Sequence, residues 1–143
     1  MYKELDVFIT GCQNTVDYWY DVGCIIASDM LAKFSQKDWE DLSSHVLMKP
    51  LEWQRKLAYC LDSSCNEQEL NILLSLLDTD DEELFVICVD TLRSYTTLEA
   101  KQMIRDNPAM LVRVNELLPK AGVATRGVLE DFLVKIKNAE LIE

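Results

Sequence analysis

The run Leu70-Asn71-Ile72-Leu73-Leu74-Ser75-Leu76-Leu77-Asp78-Thr79-Asp80-Asp81-Glu82-Glu83-Leu84 decides the fold. Leu70, Leu73, Leu74 and Leu77 recur at spacings of three and four, which puts them on one side of an α-helix. Asp78 to Glu83 interrupts that stripe with a turn and sets carboxylates at the start of a second helix, where the macrodipole favours negative charge. The apolar pattern then resumes at Leu84, Ile87, Cys88, Thr91, Leu92 and Tyr95. Two amphipathic helices joined by an acidic turn are the unit from which the rest of the chain is read.

Upstream, Pro50 ends a link, and Trp53, Leu57, Ala58 and Leu61 make another helix, followed by a turn over Ser63 to Asn66. This helix and the next are expected to form a hairpin. Laying Glu52–Ser63 on Glu83–Ser94 gives an offset of 31 residues, which matches Glu52 with Glu83, Leu61 with Leu92 and Ser63 with Ser94. A period between about 20 and 50 residues in a helical chain means stacked units, none of which can bury its apolar face without a neighbour. The stacked region spans roughly Leu51 to Glu116, with Trp53, Leu73, Leu77 and Leu92 in a shared interior.

Nearer the N-terminus, a short apolar segment (Leu5, Val7, Phe8, Ile9) precedes Gly11 and Asn14. Thr15 is placed to cap a long helix from about Val16 to Phe34, whose stripe is Val16, Trp19, Tyr20, Gly23, Ile26, Ala27, Met30, Leu31 and Phe34. Ser35 caps the next helix, with Asp38 in its first turn and Trp39, Leu42, Val46 and Leu47 on its apolar side. The C-terminal third reads as helices over Thr97–Arg105, Pro108–Leu118 and Thr125–Asn138, the last packing through Val128, Phe132, Leu133 and Ile136. Organisation is therefore one all-α domain over 1–143: N-terminal helices over 1–48, a short right-handed array of antiparallel hairpins over 49–118, and a capping helix over 119–143.

Composition agrees with this. The 143 residues carry only four Gly and three Pro, too few for a turn-dense barrel or sandwich. Fourteen basic residues against 25 acidic ones leave −11, distributed as −5 up to Met48, −6 from Lys49 to Thr97 and 0 beyond. Phosphate backbones and anionic lipid would be repelled by that field, so neither nucleic acid nor a membrane is an expected partner. Five cysteines form an odd set without CxxC spacing, and they sit mostly in apolar helical stretches as reduced, structural thiols. With no signal-like start and no span of about 20 apolar residues, a cytoplasmic location is expected.

Chemistry is sparse. His45 is the sole histidine, near a helix C-terminus where imidazolium is favoured, so multi-imidazole metal sites are excluded. The four glycines are isolated, and no phosphate loop or dinucleotide fingerprint can be written. The Asp78–Glu83 turn has the carboxylate density of a calcium loop but lacks the central Gly and the distal Glu. No catalytic residue, cofactor or metal is expected. Trp19, Trp39 and Trp53 read as core anchors. Tyr18, between Asp17 and Asp21, suits contact with Arg or Lys of another protein, although burial under the first segment is an equal reading.

The Leu70–Leu84 run, continuing to Leu92, is similar to the helix-turn-helix centre of HEAT-type repeats, although the common Pro and central Arg of that family are missing. The size, the charge and the arrangement Trp39…Pro50-x-x-Trp53-Gln54-x-x-Leu57-Ala58 resemble helical, HEAT-like bacterial immunity proteins of the contact-dependent growth inhibition or polymorphic toxin type. The resemblance implies a non-catalytic protein, a monomer before binding, that neutralises a cognate toxin domain by occlusion. Such toxins are often basic nucleases, and an acidic inhibitor would be steered to one. On that reading the contacts are Asp17, Tyr18, Asp21, Asp80, Asp81, Glu82 and Glu83. A small α-solenoid adaptor that bridges other proteins is the alternative, and an enzyme is the third reading.

Overall fold

The computed structural model describes residues 1–11 and 16–142. The expected Thr15 cap and the Asn14 interruption lie outside the described residues, as does the side chain of Val16. The described residues are helical and contain no strand: α1 (Tyr2–Gly11), α2 (Val16–Tyr18) leading through a π-helical stretch (Trp19–Gly23) into α3 (Cys24–Ala32), α4 (Gln36–His45), α5 (Leu51–Cys60), α6 (Glu67–Leu76), α7 (Glu82–Leu92), α8 (Leu98–Arg105), α9 (Pro108–Leu117) and α10 (Val123–Ile142).

Helix starts follow from side-chain acceptors for amides that have no partner within the helix. Ser35 and Asp38 form a reciprocal capping box on α4, and Asn66 and Glu69 form a second on α6. Asp81, Thr97 and Asn107 cap α7, α8 and α9, with Pro108 at the first turn of α9, where its missing N–H is not needed.

Three sequence expectations need correction. The apolar segment Leu5–Ile9 is a helix in its own right, burying Tyr2, Leu5 and Ile9. The long helix is not uniformly α: the Cys24 N–H reaches back to the Trp19 carbonyl, a five-residue step that underwinds the chain. The reason is steric. A Cβ on residue 23 would lie 2.6 Å from Trp19 Cε3, so glycine is what lets the indole lie flat along its own helix. The buried set is consequently Trp19, Gly23, Ala27 and Leu31, at a constant spacing of four, while Ile26 is 37% exposed. Trp39 and Leu42 of α4 are buried as expected, as is Val46 in the 3₁₀ turn Val46–Met48 that follows, but Leu47 in that turn is 61% exposed.

The main neighbour of α5 is α7, not α6, to which it is joined by the turn at 61–66. The two helices related by the 31-residue offset run side by side in the same direction. Arg55 pairs with Asp81 at the α7 start, Thr91 Oγ1 donates to the Ala58 carbonyl, and Tyr95 Oη donates to the Leu61 carbonyl at 2.5 Å. On one side of this pair, Trp19 Nε1 donates to the Lys56 carbonyl and Tyr20 meets Tyr59 edge-on. On the other, Arg93 of the α7 C-terminus reaches Asp131 of α10. One apolar cluster runs from Tyr2 to Ile136 and includes Trp19, Trp39, Trp53, Leu73, Leu77, Leu92 and Phe132.

Candidate partner-binding face

The helices from Val16 to Ala32, α5, α7 and α10 share one face, and its features come from their parallel alignment. At the start of α7, Asp81 accepts a bidentate pair of hydrogen bonds from Arg55 (3.0 and 2.7 Å) while capping Leu84 N–H. The guanidinium holds the Asp81 carboxyl below the usual carboxylate range. Glu83 lies 3.5 Å from the same Arg55 and remains largely exposed. Burial, and then the Glu83 charge, push the Tyr20 hydroxyl upward, which places Tyr20 beside this cluster.

Toward the helix C-termini the face opens into a groove of about 510 Å³. Cys24 and Ser28 line it from α3, Tyr59 and Asp62 from the α5 end, Asp90 and Arg93 from the α7 end, and Lys135 from α10. Arg93 is held between Asp90 and Asp131, and Lys135 joins Asp131 at 3.2 Å, so the two cations are matched by two carboxylates. Burial raises both thiols in the groove, Cys24 and more strongly Cys60, keeping them protonated at neutral pH and poor as nucleophiles. Among the described residues no three His, Cys, Asp or Glu side chains converge as a metal site requires. Among the described residues no helix is long and apolar enough to cross a membrane.

The residues singled out from sequence have different fates. Asp17 and Asp21 are exposed on the first helix of this face, whereas Tyr18 is half-buried and packs against the core. Asp80, Glu82 and Glu83 are exposed, and Asp81 is committed to Arg55 and to the helix cap. Glu83 and the Asp17–Asp21 segment are brought to one side through Tyr20. The Asp78–Glu83 turn is pinned from behind by Arg113 of α9, which donates to the Thr79 carbonyl and lies 4.3 Å over the Phe85 ring. His45, at the end of α4, stacks on Tyr2 with its Nδ1 2.7 Å from the Asp41 carbonyl.

Sequence reading missed Arg55, Tyr59 and Asp90. The signal was present in the offset: 31 residues separate Tyr59 from Asp90, both on the groove, as they separate the exposed pair Glu52 and Glu83. No family model matches the chain, and no curated protein or solved structure does either.

Proposed function

We propose that the chain is a non-catalytic immunity protein that binds a cognate toxin domain, a basic nuclease, and neutralises it by covering it with acidic surface from its first two thirds. The observation that carries this reading is the shared face on which Asp17, Asp21 and Glu83, with Glu82 next to it at the α7 start, are exposed near the Tyr20–Tyr59 pair. A field of −11 focused there would speed encounter with a cationic partner, and desolvated aromatic edges would hold it. The parallel packing of offset-related helices supports a HEAT-like, short solenoid reading of the array, with α10 as its cap. The protein acts before binding as a monomer in the cytoplasm, needs no cofactor, and contacts neither nucleic acid nor membrane.

The test begins with the neighbouring genes: this reading expects one that encodes a large secreted protein with a toxin-like C-terminal domain, and that domain is then co-expressed with the chain. Protection of the cells is expected, and replacing Asp80, Glu82 and Glu83 by Asn, Gln and Gln should slow association more than it quickens release. Asp81 stays in place in that variant because it holds the helix start. Rising salt should slow association once charges more than about 10 Å apart are screened. Failure to protect would hand the case to the adaptor reading.

A further inference from the structure

The helix from Val16 to Ala32 carries a second apolar stripe that the described residues leave partly exposed. Its first stripe, Trp19-Gly23-Ala27-Leu31, is buried against α1 and α5. Val22 (45% exposed), Ile25 (59%) and Ile26 (37%) stand on another side of the same helix, followed by exposed Asp29. Positions 22, 25, 26 and 29 are i, i+3, i+4 and i+7, the spacing of one continuous helical stripe. The underwound Trp19–Gly23 stretch keeps the four-residue stripe inside, and it leaves these branched side chains facing water.

Charge defines what would cover them. Asp17, Asp21 and Asp29 are exposed around the stripe, and the sequence contains no Lys or Arg between Lys3 and Lys33. A second copy would bring these carboxylates against their own images on a chain of −11, and an anionic lipid surface would be repelled in the same way. We propose that this stripe is a docking surface for an amphipathic helix of a partner protein, with an apolar stripe that packs on Val22, Ile25 and Ile26 and flanking Lys or Arg that meet Asp17, Asp21 and Asp29. The inference rests on the reading of a basic protein partner and names where, and by which element, that partner is anchored.

The probe is a fluorescein-labelled 18-residue synthetic peptide with Leu and Ile at helical i, i+3, i+4 and i+7 spacing and Lys on both flanks. Its controls are the same composition in scrambled order and the same stripe with Glu in place of Lys. Binding is followed by anisotropy, and amide shifts are mapped by heteronuclear NMR. The ordered Lys peptide should bind at least tenfold more tightly than either control, with the largest shifts from Asp21 to Asp29. Ile25→Ser together with Val22→Ser should weaken it at least tenfold while thermal unfolding stays within the range expected for surface changes. Ile25→Lys alone, at the most exposed of the three positions, should do the same if the double variant proves unstable. Asp21→Asn with Asp29→Asn should weaken binding several-fold and flatten its salt dependence.

Equal binding of the ordered and scrambled peptides, or shifts centred on Arg93 and Lys135, would overturn the proposal. So would concentration-dependent self-association that Ile25→Lys abolishes, because the occupant would then be a second copy. If Ile25→Lys protects cells from the toxin as well as the parent does while the triple variant at Asp80, Glu82 and Glu83 fails, this inference falls and the proposed function stands. If the peptide binds at the stripe and the parent protects no cells, the proposed function falls and the docking surface stands.

Discussion

The two seams that flank α5 are built differently. Toward α7 the contacts are regular: Thr91 Oγ1 and Tyr95 Oη donate to the Ala58 and Leu61 carbonyls, Ser94 Oγ to Asp62, and Arg55 clamps Asp81. Hydroxyls of the neighbouring helix thus bond main-chain carbonyls at the α5 end, adding to the long 3.4 Å bond that Ala58 accepts from the Leu61 N–H. Toward the first helix the seam is aromatic: Trp19 is buried beneath α5 with Lys56 Nζ 5.8 Å from its ring, and Tyr20 meets Tyr59 at 4.4 Å between centroids. The first seam follows the 31-residue spacing, whereas the second depends on one large side chain fitted against one glycine. Regular seams tolerate small errors spread over several contacts; a seam built on one ring concentrates its dependence there.

The largest expected effect is therefore at that ring. Trp19→Ala should destabilise by about 3–5 kcal/mol, at least as much as Leu92→Ala in the regular seam at about 2–5, because a larger buried volume is lost. Denaturant midpoints would show it, and near-parental stability of Trp19→Ala would erase the contrast. Gly23→Ala comes next. The added methyl meets Trp19 Cε3, so a loss of about 1–3 kcal/mol is expected, against a gain of up to about 1 from helix propensity. In a Trp19→Leu background the penalty should vanish, and a double-mutant cycle reads that coupling. Additive effects would show that the glycine serves something other than the indole.

On the regular side, Tyr95→Phe should cost about 1–3 kcal/mol by leaving the Leu61 carbonyl without its hydroxyl partner. Thr91→Val acts on the same helix end, and either substitution without effect would show that the seam is held by packing alone. A smaller effect is expected in acid. Asp38 accepts from the Ser35 and Tyr2 main-chain N–H groups and is held down to about 2, while Arg55 lowers Asp81. Because both folded values lie below the unfolded ones, the stability they supply is complete above about pH 4 and is lost as pH falls through the folded values. Asp38→Asn should flatten that decline for the α1–α4 contact, as thermal unfolding between pH 5 and pH 2 would reveal. Reduction should do least: Cys24, Cys60, Cys65 and Cys88 are free thiols, so unfolding with and without a reductant should coincide. A drop of about 2 kcal/mol on reduction would mean a bridge.

The same contrast explains what could be read from sequence. Leu70–Leu92 and the Ser35–Asp38 cap were legible because periodicity and capping are local signals, and the offset announced that α5 and α7 are equivalent. The expected α5–α6 hairpin was not the main packing, because sequence adjacency does not report which neighbour a helix leans on. The Val16–Phe34 stripe was wrong at Ile26, since a uniform 3.6-residue helix was assumed and the underwound stretch arises from a contact between two side positions of one helix. Of the candidate site, the acidic positions were visible, but Arg55 captures Asp81 across 26 residues, a distance no local pattern spans.

Glu69 has a consequence for motion. Its carboxylate is fully buried and accepts from Ser63 Oγ at 2.6 Å, Ser64 N–H at 3.1 Å and Asn66 N–H at 3.3 Å. The connection between α5 and α6 is thereby knotted around one side chain of the following helix. Although it is a loop by shape, its Ser64 and Asn66 amides should exchange with solvent on the slow timescale of the helices beside it, and proteases should cut elsewhere first. A partner that binds this protein therefore meets α5 and α6 as one stiff unit: the connection between them is braced and does not serve as a hinge.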